Sequence, residues 1–350
     1  MNNVEGTTKP RLFHLDLLRT VACLSVVMIH VSAEFVVRGT TGPDFWLGNL
    51  FDSISRAAVP LFVMISGALM LDGNYEFTKK KWLKHIGRMI VFYIVWSTFY
   101  YLIFNQPWNG NFSPKNALGQ IITGHYHLWF VPMIIGLYLI VPLLRAWVNE
   151  KNIRSVEYFL LLSAVLTFFI PQCVIMLKYA AGWIGAFDKL LENLDLQYTA
   201  GYTTYFVLGW YLNRGVRRGK LVCALGIVSV CLIFAGTAFV SLVVRKSGYP
   251  FYENDTITVL MYSAAIFTLC RSKFGQEKQP CKLLRASTGW IAKCSLGIYA
   301  VHVYVISQLM PVFGQLHAAV AIPLVFVLTF IGSAVISTIL GMIPLVKKIV

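Results

Sequence analysis

Asp16, Arg19, His30 and Glu34 stand in the stretch DLLRTVACLSVVMIHVSAE, which is otherwise almost wholly apolar. On a helix each residue turns about 100°. The eleven steps from Arg19 to His30 therefore return to within roughly 20° of one face, about 16 Å further along the axis. Asp16 precedes Arg19 by three positions and Glu34 follows His30 by four, both spacings of helical neighbours. One stripe thus carries an acid–cation pair at one end and an imidazole–carboxylate pair at the other. The first could anchor the helix at the membrane interface or face a site within the bundle. The second suits proton abstraction, because imidazole titrates near neutral pH and Glu34 could orient the ring.

The elements that position these groups follow from composition. Hydrophobic residues make up 57% of the 350 and charged residues 13%, proportions foreign to a water-soluble domain. About twenty apolar residues span a bilayer as a helix, and ten such windows can be placed: roughly 12–37, 47–71, 83–105, 127–148, 156–178, 199–213, 221–244, 255–271, 288–312 and 317–345. The reading is an all-α, polytopic integral membrane protein with about ten transmembrane helices. The sixth window, TAGYTTYFVLGWYLN, is the shortest and most polar. Lys and Arg gather on cytoplasmic loops, and an inner N-terminus puts 22 of the 30 on inner segments and six on outer ones, with Arg19 and Arg56 inside spans. Both termini are therefore expected in the cytoplasm. The net charge of +15 is then mostly topology and calls for no nucleic acid. The first apolar run resembles a signal peptide in its basic leader, but it holds Asp16 and Arg19 and no small-residue cleavage site follows, so it reads as a retained helix. Seven cysteines form no CxxC and give no disulfide or zinc signal. With no repeat, no low-complexity segment and no linker longer than about 106–126, residues 1–350 read as a single domain.

The topology gathers further polar residues. Arg56 in the second span, His127 at the start of the fourth and His302 midway along the ninth fall with His30 in the middle to outer half of the membrane. A polar cavity opening outward would explain all four. Each has a plainer account as well: Arg56 snorkelling to the interface with Asp52 as its partner, His127 lying at the interface beside Trp129, His302 cross-linking helices. Ser66–Gly67 reads as a close helix contact. A zinc site of His30, His127 and His302 lacks any HxxxH or HxxE pairing, so no metal is expected. On the inner side Lys81, Lys84, His85 and Arg88 share a face that could receive phosphates, although positive-inside topology accounts for residues 79–81 by itself.

Four motifs carry a resemblance. RTVACLSVVMIH, SRAAVPLFVMISGALM at 55–70, HLWFVPMIIGLYLIVPLL at 127–144 and SLGIYAVH at 295–302 occur in the order seen in the membrane-bound acyltransferase-3 family. The chain resembles that family over essentially its whole length, and is most similar to inner-membrane O-acetyltransferases of enterobacterial surface glycans. The resemblance implies a multi-pass protein of the bacterial inner membrane that moves an acetyl group from cytoplasmic acetyl-CoA to a hydroxyl of a cell-surface or lipid-linked glycan. It implies that Arg19 engages the coenzyme.

Acyl transfer needs a base for the hydroxyl proton and a donor for the developing oxyanion. His30, assisted by Glu34, is the expected base. Arg56, His127, His302 and Trp129 are the expected acceptor and oxyanion groups, and Arg19, Arg88, Lys84 and Lys81 the expected coenzyme contacts. Outer aromatics such as Trp108, Trp183 and Tyr249 are available to stack on sugars. The same buried charges would also suit a secondary transporter, with Asp16, Arg19, His30 and Glu34 lining a path, although no inverted repeat is visible. A non-catalytic membrane module that binds such a ligand is a third possibility.

Overall fold

A computed structural model describes residues 12–106, 109, 113–181, 196–215, 219–244, 249–275 and 280–344. Among these there is no strand. The helices are α1 (Phe13–Val36), α2 (Pro43–Ser55), α3 (Ala58–Met70), α4 (Lys79–Asn105), α5 (Pro114–Thr123), α6 (Phe130–Trp147), α7 (Ile153–Ser163), α8 (Ile170–Ala181), α9 (Leu196–Asn213), α10 (Gly219–Phe239), α11 (Ile257–Phe274), α12 (Lys282–Phe313) and α13 (Ala318–Met342). Short 3₁₀ or π turns join several of them into longer rods.

Nine of the resulting helical rods are long and apolar enough to cross a membrane, among the described residues. Their outward faces are apolar: Leu143 is 74% exposed and Ile227 67%, as expected where the surrounding solvent is lipid. The sixth expected span, α9, is a helix of 18 residues but falls short of the other nine in apolarity. Its position explains this. Tyr205, Phe206, Val207 and Trp210 are all buried, so neighbouring helices rather than lipid surround it. It crosses α3 at two glycines. A methyl group added to Gly67 would lie 1.8 Å from the Phe206 carbonyl oxygen, and one added to Gly209 would lie 1.9 Å from that of Met64. Backbone touches backbone, the close approach that small residues allow.

Prolines shape the spans that line the interior. The expected continuous second span is instead broken at Arg56–Ala57, between α2 and α3. Pro60 has no N–H for the Arg56 carbonyl and its ring crowds that group, which favours a break at this turn. In α6 Pro142 likewise leaves the Tyr138 carbonyl without its helical donor, and the Trp82 indole N–H fills it at 2.7 Å. The fifth expected span includes a π-helical segment, Ala164–Phe169, just ahead of Pro171. The stretch expected as a bare outer loop at about 106–126 contains α5. Trp108, Trp183, Lys189, Arg217, Arg218, Arg245, Lys246 and Lys278, as well as Lys9, Arg11, Lys347 and Lys348, lie outside the described residues.

Candidate active site

Two cavities lie along α1. One, of about 390 Å³, is lined near the N-terminal end of α1 by Arg19, Tyr75, His85, Arg88, Lys293 and the apolar side chains between them. The other, of about 450 Å³, is lined further along by Ile29, His30, Arg56, His127, Trp129, Tyr202, Tyr252, Glu253 and Asn254. Val26, Val59, Phe130 and Tyr299 belong to both linings. The cavities therefore meet at a constriction of four side chains. On α1 the positions 19, 26 and 30 are separated by seven and four residues, so cation, constriction and imidazole follow one another on a single face.

Around His30 the structure assembles a histidine cluster. Its ring centre is 4.9 Å from that of His302 and 6.4 Å from that of His127, which is itself 5.4 Å from His302. His302 is fully buried, and its Nδ1 lies 2.8 Å from the Tyr299 carbonyl oxygen and 3.3 Å from that of Ile298. Only an N–H satisfies a carbonyl, which fixes the tautomer and leaves Nε2 of a neutral ring as an acceptor. That Nε2 has no hydrogen-bond partner among the described residues. The buried His127 is tied to the same helix, because the Tyr299 hydroxyl donates to its carbonyl at 2.6 Å.

His125 joins this cluster, and the sequence reading passed over it. Its Nδ1 lies 2.9 Å from Nδ1 of His127, and its ring stacks on Tyr100 at 4.5 Å and Phe104 at 5.2 Å. Burial pushes His125 below the ordinary imidazole value, and of the two facing Nδ1 atoms one carries the hydrogen and the other accepts it. The repeat HYH at 125–127 was the available signal. Tyr299 and Tyr252 were also passed over; each is one turn or less from a residue that was noticed.

The remaining expected residues separate clearly. Arg56 lies at the helix break, paired with the fully buried carboxylate of Asp52, and its Nη1 donates to the Tyr252 carbonyl at 3.2 Å. Its guanidinium also sits 3.9 Å over the Tyr252 ring. A guanidinium has five N–H groups, so this clamp still leaves donors for the cavity. Arg19 pairs with Asp16 at 3.6 Å. Glu34 is exposed, and among the described residues no hydrogen bond joins it to His30. Lys81 and Lys84 are exposed and outside the lining of the Arg19 cavity, with Lys81 turned to Glu76 at 2.5 Å. Lys293 lines that cavity in their place. Trp129 lines the His30 cavity with its ring 5.8 Å from that of Tyr202. Tyr249 stacks on Tyr252 at 5.6 Å, at the edge of the Arg56 clamp. No group of three His, Cys, Asp or Glu among the described residues is arranged to hold a metal ion.

A bundle of membrane-length helices enclosing a cationic cavity, a histidine cavity and a narrow junction between them defines a polytopic membrane protein with its polar site inside the bundle. The family of this fold and site follows from the chain itself: the acyltransferase domain of the acyltransferase-3 family matches residues 13–342, so the protein belongs to that family and is a membrane acyltransferase. No curated protein and no solved structure matches the chain.

Proposed function

We propose that the protein is an O-acetyltransferase of the bacterial inner membrane, with both termini in the cytoplasm, acting between cytoplasmic acetyl-CoA and a hydroxyl of a cell-surface or lipid-linked glycan. The observation that carries this reading is the meeting of the two cavities at Val26, Val59, Phe130 and Tyr299. Arg19, Arg88 and Lys293 supply the cationic end that a coenzyme's phosphates require, with His85 lining it beside them. The pantetheine arm follows the α1 face, over the roughly 16 Å that separate Arg19 from His30. The thioester then lies at the junction and the hydroxyl in the His30 cavity.

His30 removes the hydroxyl proton as the oxygen attacks the thioester carbon. A C–O bond forms, the C–S bond breaks, and the proton passes from His30 to the departing sulfur, leaving free CoA and the acetyl ester. Arg56 donates to the oxyanion that develops in between; a donor already fixed in place costs no reorganisation at that moment. His302, with its tautomer fixed and its Nε2 an acceptor, backs the base. The chemistry needs no metal.

Purified protein in lipid nanodiscs, supplied with acetyl-CoA radiolabelled in the acetyl group, tests this. Release of free CoA that falls about 10²- to 10⁴-fold in His30→Ala, with coenzyme binding retained, is the expected result. In sealed vesicles, labelled substrate crossing the membrane without thioester cleavage would establish a transporter instead.

A further inference from the structure

A third cavity, of about 660 Å³, adjoins the His30 cavity and shares Tyr202, Glu253 and Asn254 with it. Its two ends differ in chemistry. Where it meets the His30 cavity it is polar, with Tyr202, Thr203, Glu253, Asn254 and Asp255. Away from that end it is walled by Phe168 and by one face of α6, where Met133, Gly136, Leu137 and Ile140 are spaced by three, one and three. That face runs about 10 Å along the helix. Gly136 is exposed, and a methyl group built on it would meet nothing within 4 Å. A side chain at this position would project into open space, and the glycine leaves the crevice open on the side where α6 carries its exposed apolar residues.

An apolar slot this long, ending in carboxylates and an amide beside the proposed base, is the shape of a site for an amphipath. The polar end specifies the headgroup. Asn254 holds the Tyr202 hydroxyl through its Nδ2 at 3.1 Å, and Trp129 faces Tyr202 across the adjoining cavity. Carboxylate oxygens accept from adjacent hydroxyls and aromatic rings cover sugar faces, whereas a phosphate or acidic sugar set against Glu253 and Asp255 would meet like charge. Resting on the reading of His30 as the base of an acetyl transfer, we infer that this crevice holds the apolar chain of a lipid-linked acceptor, whose neutral saccharide headgroup reaches His30 sideways from the bilayer.

The test uses two photoreactive probes with the same diazirine-bearing dodecyl chain, one a glucoside and the other a phosphate, on the full-length protein in nanodiscs. The glucoside should label the peptide containing residues 133–140 and do so at least fivefold more than the phosphate. Gly136→Phe should lower that labelling at least fivefold with an unchanged unfolding temperature, while Ile227→Phe, at an exposed position of α10 outside the crevice lining, leaves it as it was. Changing Glu253→Gln and Asp255→Asn together should bring the phosphate probe up to the glucoside. Equal labelling by both probes in the wild type marks a slot for bulk phospholipid and overturns the proposal, as does glucoside labelling indifferent to Gly136→Phe. His30→Ala keeps the crevice. If it still labels while wild-type protein fails to cleave acetyl-CoA, the crevice stands and the transferase chemistry falls.

Discussion

Arg56 shows how much of the site depends on single side chains held in company. Its partner Asp52 is fully buried, so Arg56→Gln strands a carboxylate inside the bundle, a change worth about 3–5 kcal/mol. Arg56→Lys keeps the charge and loses the planar fork that spans Asp52 and the Tyr252 carbonyl. We expect Arg56→Gln to lower the unfolding temperature of the purified protein, and Arg56→Lys to keep most of the stability while losing turnover. Equal turnover in Lys and wild-type enzymes would remove Arg56 from oxyanion binding. Much at this scale was legible in the sequence, because ionisable residues in apolar runs are few: His30, Arg56, His127 and His302 come together in or beside one cavity as their spacing and topology suggested. Glu34, Lys81 and Lys84 show the limit. Helical spacing places a side chain on a face, but whether it turns to the ring, to the cavity or to Glu76 depends on neighbours outside its own helix, near or far in the chain. Lys293 was missed for the same reason, since the cavity it lines is built from other helices; His125 was missed although its partner His127 stands only two positions on.

Helix crossings set where those side chains stand. At the α3–α9 crossing, Gly67→Ala or Gly209→Ala forces a methyl group into a backbone carbonyl, so both should destabilise by about 1–3 kcal/mol or more. Gly87→Ala, with open space around it, serves as the comparison in the same thermal unfolding assay. The Trp82–Tyr138 bond permits a sharper test. Trp82→Phe leaves the carbonyl freed by Pro142 unfilled, at about 1–3 kcal/mol. Adding Pro142→Ala restores a helical N–H to that carbonyl, and the double variant should recover a substantial part of the loss. No recovery would show that the indole acts through packing alone. Helix existence was readable from apolar run length, and nine of the ten windows lie on helices that pass on length and apolarity. The break at Arg56–Ala57 was signalled by Pro60 and overlooked. The polar character of α9 made it the weakest window for a reason no run-length rule contains: protein, not lipid, surrounds it.

For the whole molecule, the expected sidedness is testable at described positions. In a cysteine-free background, a cysteine at Lys115 on α5 should react with an impermeant maleimide added outside intact spheroplasts, and one at Asn74, beyond α3, should react only after lysis. The reverse pattern would turn the protein over and move the coenzyme site to the wrong compartment. The four-residue junction has a further consequence, for energetics. Cavities approaching from the two ends of α1 leave only the thickness of Val26, Val59, Phe130 and Tyr299 between them. A membrane potential acts on a charge with about 2.3 kcal/mol per 100 mV, and over so short a barrier most of it would fall across that ring. An acetyl group carries no charge. Its passage draws nothing from the voltage and dissipates none, so collapsing the potential with valinomycin and potassium should leave the rate of acetyl transfer unchanged.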